Sequence, residues 1–374
     1  MGAFDSWILN GSMADKSMLR NYLAYRTASE VQPETPDCRF CEVFQELDGV
    51  TTYQGVYLLL ENIARGESRI NIQETKRKNV YTGYIVRRDR YNAYDTMLST
   101  WGRLTGQCPE DQWIGVKYPG KAKQTPETLA YITQDFSRME QVIYSKDPAV
   151  FATYDRYVDV ESFCDYFLLN EFFGNYDSGE HSTIYWKDTG GKLHLGPVWD
   201  FDQAMNNVYD QEQDPETLAM TEKPFFKQLV QDNIFVERLR DRYAALRRTT
   251  LSEDHILSLL EEARAYLRSA QQREWYRWAA DYLDGSGENS HNYTLAPVEF
   301  RGEILDRFNT KYDQELYVIR TYLRRHGKAI PVELKKLEAS ATVRTGPAVA
   351  QTLLLAVTVL LLAVPALLVQ RRIR

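Results

Sequence analysis

The stretch that most constrains this chain is a short reversal bounded by acidic residues. Thr183-Ile184-Tyr185-Trp186-Lys187 is rich in β-branched and aromatic side chains, Asp188-Thr189-Gly190-Gly191 supplies a turn, and Lys192-Leu193-His194-Leu195 returns. That pattern predicts a β-hairpin. A hairpin brings its two ends back to one place. Asn175-Tyr176-Asp177 precedes this one and Gly196-Pro197-Val198-Trp199-Asp200-Phe201-Asp202 follows it, so Asp177 and Asp200 are expected side by side. Carboxylates paired at such a closure point to a divalent metal or a general base.

The rest of the chain reads as α+β. Met18, Leu19, Tyr22, Leu23 and Val31 predict an early helix over 13–31, with Asp15 as its N-cap. Strands follow over Cys41–Leu47 and Val56–Leu60, turned at Asp48-Gly49, with Glu61 closing the second. Gly83–Val86 is one more short strand, and residues 62–125 offer no clearer pattern. From Pro126 the texture is helical. Asp159 can cap a helix that Gly174 ends, Phe226–Leu246 continues the apolar spacing, and Ser252 caps a helix whose face runs to Trp275, Trp278 and Tyr282. Gly285-Ser286-Gly287 breaks it, and a last helix carries Ile304, Phe308, Tyr312, Leu316, Ile319 and Leu323 up to Gly327. A helix with a few strands comes first, then a mostly helical body with one hairpin set into it: a two-lobed α+β layout.

A net charge of −7, with no Lys/Arg-dense helix, excludes a nucleic-acid partner. The four cysteines Cys38, Cys41, Cys108 and Cys164 are too few for a disulfide framework, and a lone Cys38-x-x-Cys41 lacks the second close pair of a structural zinc site. Structural thiols or a disulfide remain. Ala348–Val369 is uncharged and would measure roughly 33 Å as a helix, enough to cross a membrane. It predicts a single-pass span after a linker over 336–347. The basic tail over 370–374, with Arg371, Arg372 and Arg374, would lie in the cytoplasm and the domain over 1–335 outside the cell membrane. An outside domain needs a leader, and Met1–Trp7 has no basic stretch followed by an apolar one. The start is therefore expected to be truncated.

Several motifs carry a resemblance. Trp7-Ile8-Leu9, Asp15-Lys16-Ser17-Met18-Leu19-Arg20-Asn21, Gly55-Val56-Tyr57-Leu58-Leu59-Leu60-Glu61, Asn170-Glu171, Asn175-Tyr176-Asp177 and Gly196–Asp202 resemble the CotH family of spore-coat-type, atypical protein-kinase-like proteins. The resemblance implies an ATP-dependent phosphotransferase acting on Ser or Thr of a protein substrate with Mg²⁺ or Mn²⁺. Asp177 would orient the acceptor hydroxyl, Asp200 would hold the ion bridging the phosphates, and Asp202 would be a second metal contact. Glu61 resembles the position where the family passes from small to large lobe, and with Ser182 it is assigned to cofactor binding. Kinases place an Asn five residues after the catalytic Asp, where this chain has Ser182. Their glycine-bearing strands and phosphate-binding Lys lie upstream of the first helix, which implies an incomplete small lobe; Lys16 is a poor substitute.

Each feature also has a plainer reading. Asn175-Tyr176-Asp177-Ser178-Gly179 suits a simple turn, Trp199 and Phe201 suit a core, and His181 and His194 suit packing rather than metal binding. Two other functions compete: a catalytically inactive, membrane-anchored binding or scaffold protein of the same fold, and a metal-dependent hydrolase.

Overall fold

The computed structural model describes residues 1–342, except 3, 5, 209–212, 284–296, 301, 306 and 308–310. In chain order the first elements are β1 (Trp7–Gly11), α1 (Arg20–Ala28), β2 (Cys38–Leu47), β3 (Val50–Glu61), β4 (Tyr84–Asp89) and β5 (Thr96–Leu98). They are followed by α2 (Trp101–Leu104), β6 (Trp113–Tyr118), α3 (Pro126–Ile143), α4 (Pro148–Phe151), α5 (Val160–Phe173), β7 (Thr183–Lys187) and β8 (His194–Leu195). The last are α6 (Phe226–Leu229), α7 (Asn233–Leu246), α8 (Glu253–Arg277), α9 (Ala279–Leu283), β9 (Val298–Phe300), β10 (Glu303–Leu305) and α10 (Tyr312–Ser340). The fold is α+β.

Local chemistry sets most boundaries. Asp48 and Gly49 both take positive φ, the geometry that lets a two-residue turn follow the twist of β2 and β3. The Asp159 carboxylate accepts from Ser162 N at 2.8 Å to start α5, and Gly174, at φ 59°, ends it in a left-handed cap. Ser252 caps α8. All of these match the sequence reading.

The hairpin β7–β8 forms as expected, but its setting differs. It is the edge of a five-stranded antiparallel sheet of order β5-β6-β4-β7-β8, beside a three-stranded sheet β1-β3-β2. The extra strands come from 62–125. On β4, Tyr84 and Val86 join the main core, whereas Ile85 packs with Ile63, Ile70, Ile72 and Ile184 on the other face. Trp199 touches both clusters. The main core runs without a break from α1 and β3 through α5 to α10.

Three helical readings change. The helix expected over 13–31 starts only at Arg20, because Met18 takes φ 61° and interrupts the path. Asp15 sits in the turn before it, accepting from Ser17 N and Arg20 N. The 226–246 stretch is two helices, since Asp232 caps α7 by accepting from Ile234 N. Ile304 lies in β10, not in the last helix, and α10 passes Gly327 to Ser340. Gly327 is there for close packing: a Cβ would stand 3.2 Å from Phe172. Helix α10 thus takes in the start of the stretch expected as a linker.

All four cysteines carry free thiols. Cys38 and Cys41 are three apart on β2 and so point to opposite faces. Among the described residues no helix is long and apolar enough to cross a membrane. The expected span over 348–369, Phe308 and the Gly285–Gly287 break lie outside the described residues.

Candidate active site

The hairpin closes as its sequence requires. Gly196 N donates to Ile184 O at 2.8 Å, and Ser182 Oγ donates to Asp200 Oδ2 at 3.0 Å. On the Asp177 side, its carbonyl accepts from His181 N at 2.9 Å, making the turn that leads into β7. Asn175 couples the two ends, its Nδ2 donating to Trp199 O at 3.1 Å and to Asn170 Oδ1 at 3.1 Å. Ser182 and Asp200 both take left-handed backbone, φ 48° and 65°. Each costs of order 1–3 kcal/mol and persists only where its surroundings enforce it.

Those surroundings come from α1 and the turn after it. Asp200 N donates to Tyr25 Oη at 3.0 Å, Phe201 N to Asn21 Oδ1 at 2.7 Å, and Val198 N to Gln32 Oε1 at 3.1 Å. Phe201 is wholly buried and meets Tyr25 and Phe173 edge-on. Beyond Asp202, the buried Arg20 donates to Ala204 O and Met205 O, and the buried Arg307 to Asn206 O and Asn207 Oδ1. The acidic loop is held by side-chain hydrogen bonds along nearly its whole length.

Electrostatically the site is overloaded with negative charge. Burial pushes the Asp200 carboxyl up; the Ser182 hydroxyl opposes this, and Asp177 and Asp89 push it further. Asp202 is raised to about 7, by burial first and then by Asp200, Asp15 and Asp177. Asp89 was not foreseen. Arg88 pairs with Thr183 across β4 and β7, which sets Asp89 beside Ser182.

Glu61 belongs to a different cluster. Its oxygens accept from Gly2 N at 2.8 Å and Asp37 N at 3.2 Å, and Arg69 stands 3.9 Å away. The hairpin therefore gathers Asp177, Ser182, Asp200 and Asp202, while Glu61 ties the end of β3 to the N-terminal segment. His194 stacks on Trp186 at 3.9 Å and His181 faces Asp111 at 3.6 Å.

A family model described as CotH kinase protein matches residues 1–330. The chain belongs to the CotH kinase protein family. No curated protein matches it. In this CotH protein the site's donors are all oxygen, the chemistry of a hard divalent cation, and mutually repelling buried carboxylates fit one. Among the described residues no three His, Cys, Asp or Glu side chains cluster as a metal site. Magnesium bound beside a nucleotide uses one or two carboxylates plus substrate phosphates, a demand Asp200 and Asp202 can meet. The anchoring role of Asn21, Tyr25 and Gln32 was missed; polar residues recurring within an apolar helical stripe were the available signal.

Proposed function

We propose that this CotH protein is a protein kinase that transfers the γ-phosphoryl group of ATP to Ser or Thr hydroxyls of a protein, with Mg²⁺ or Mn²⁺. The observation that carries the reading is the 3.0 Å contact from Ser182 to Asp200 across the closed hairpin, with Asp177 close enough to raise the Asp200 carboxyl. Asp177 orients the acceptor hydroxyl and takes its proton as the oxygen bonds to the γ-phosphorus and ADP leaves. Asp200, seconded by Asp202, would hold a divalent cation, whose chemistry would be to neutralise charge on the phosphates. Ser182 fixes the Asp200 rotamer. The work of the protein is positioning and electrostatic stabilisation. We further propose that the domain acts tethered to a membrane by Ala348–Val369, on its outer side.

The test is label transfer from ATP to an added acceptor protein with Mg²⁺ or Mn²⁺. Asp177→Ala and Asp200→Ala should each lower the rate by about 10²–10⁴-fold. Transfer that persists unchanged in both variants sinks the reading. Wild-type protein that binds neither nucleotide nor metal is the scaffold outcome, and phosphate release without an acceptor is the hydrolase outcome.

A further inference from the structure

The outer face of the five-stranded sheet holds a cavity of about 230 Å³, many times the roughly 30 Å³ share of a water molecule. Its floor is apolar, with Ile63 and Ile85 buried in the second cluster. Among the described residues, Lys117 and Arg65 are the charged residues that line it, and no carboxylate does. Both are half-buried. Arg65 Nε donates to Ile72 O at 3.0 Å, and its remaining donors are not used by that bond. Lys117 has no hydrogen-bond partner among the described residues, and burial lowers its pKa, with Arg87 lowering it further.

The nearby acids do not supply the missing charge. Asp95 and Asp89 act on Lys117, but Arg87 already takes them, at 2.9 Å and 3.4 Å. Glu74, close enough to be affected by Arg65, is paired with Lys123 at 2.5 Å. Positive charge is left in excess around an apolar-floored cavity, an arrangement that costs stability unless an anion fills it.

Strand β4 links the cavity to the acidic site, with Ile85 at the cavity and Asp89 acting on Asp200. Ile85, Arg87 and Asp89 alternate along β4 and share one face, so Ile85 on the floor stands about 13 Å along the strand from Asp89. Asp89 is beside Ser182 and acts on both Lys117 and Asp200. A cationic pocket at one end and an acidic, metal-type site at the other describe the two halves of a polyphosphate site.

We infer that Lys117 and Arg65 form an oxyanion subsite that binds phosphate groups of the nucleotide. The inference rests on the kinase reading for the nucleotide as source; free phosphate is the other source of the same chemistry.

The experiment is calorimetric titration of the full chain, without divalent metal, with pyrophosphate, ATP and adenosine. Wild type should bind pyrophosphate and ATP. Lys117→Met should weaken both about ten- to a hundredfold, the value of one charge-assisted hydrogen bond, and Lys117→Arg should restore them. Adenosine affinity should not change. Melting temperature separates binding from folding: a half-buried lysine without a partner loses nothing on replacement, so Lys117→Met should melt at or above wild type. ATP bound no tighter than pyrophosphate would assign the subsite to free phosphate and overturn the nucleotide as its source. Unchanged pyrophosphate and ATP binding in Lys117→Met, or no phosphate binding by wild type, overturns the subsite. If that happens while label transfer still depends on Asp177 and Asp200, the kinase reading survives alone. If Lys117-dependent binding holds while transfer fails, the subsite survives alone.

Discussion

Two groups of buried charge flank the loop after Asp200, and they are built on opposite principles. Behind it, Arg20 Nη1 lies 2.6 Å from Asp15 Oδ1 and 3.7 Å from Glu315 Oε2, and Arg307 Nη2 lies 2.6 Å from Glu315 Oε2. Two cations meet two anions, and carbonyls of Ala204, Met205 and Asn206 take further donors. In front, Asp200 and Asp202 are both pushed up by burial, Asp200 pushes Asp202 further, and Asp177 adds to both. Arg90 opposes this on Asp200 only as the last of the named influences. The balanced group fixes the loop. The unbalanced group gives up stability at the same loop.

The largest test of this contrast lies in the balanced group. Glu315→Gln removes the anion shared by Arg20 and Arg307 and leaves buried cations short of a partner, which should cost about 3–5 kcal/mol in urea or thermal unfolding. A cost under about 1 kcal/mol would show that the network is not the frame of the loop.

The contrast explains what the sequence could and could not disclose. The hairpin, the Asp159 cap, the Gly174 stop and the Asp48-Gly49 turn are local events, dictated by residues a few positions apart, and each was legible. The five-stranded sheet was not. β4 carries Arg87, Arg88 and Asp89 in a row, which hides the alternation of a strand; Arg88 is buried over Phe225 at 4.7 Å on one face, and Arg87 pairs with Asp95 on the other. The same holds at the site. That Asp177, Ser182 and Asp200 come together was legible because a hairpin is a short-range object, whereas Asn21, Tyr25 and Asp89 reach the loop across separations no local pattern records. Glu61 shows the converse: its place at the end of a buried strand is legible, while its partners Gly2, Asp37 and Arg69 come from separate segments.

A pH titration probes the unbalanced group. Asp202 titrates at about 7 when folded, raised from its ordinary 3.8 by burial and Asp200. The folded protein therefore keeps a proton that the unfolded chain releases, and stability should fall as pH rises through that interval and level off above it. Melting curves between about pH 5 and about pH 8 read the slope. Asp202→Asn should flatten it and be at least as stable as wild type at the alkaline end. Added Mn²⁺ should flatten it too, because a bound cation competes with the proton. A slope that survives Asp202→Asn intact would place its origin elsewhere.

The smallest effects belong to Ser182, and they separate strain from hydrogen bonding. Its hydroxyl steadies Asp200 at 3.0 Å while its backbone sits at φ 48°. Ser182→Ala removes the hydroxyl and keeps the strained backbone, for a loss of about 1 kcal/mol. Ser182→Gly removes both, and glycine adopts positive φ without steric cost, so it should be the more stable of the two despite having the smaller side chain. If catalysis needs only the Asp200 contact, both variants should lose transfer rate equally, by several-fold. Ser182→Asn restores a side-chain oxygen and tolerates left-handed backbone better than serine; it should recover the rate. Rates that follow backbone stability instead, with glycine above alanine, would mean that the shape of the turn matters at this position and that the hydroxyl is incidental to the acidic pair.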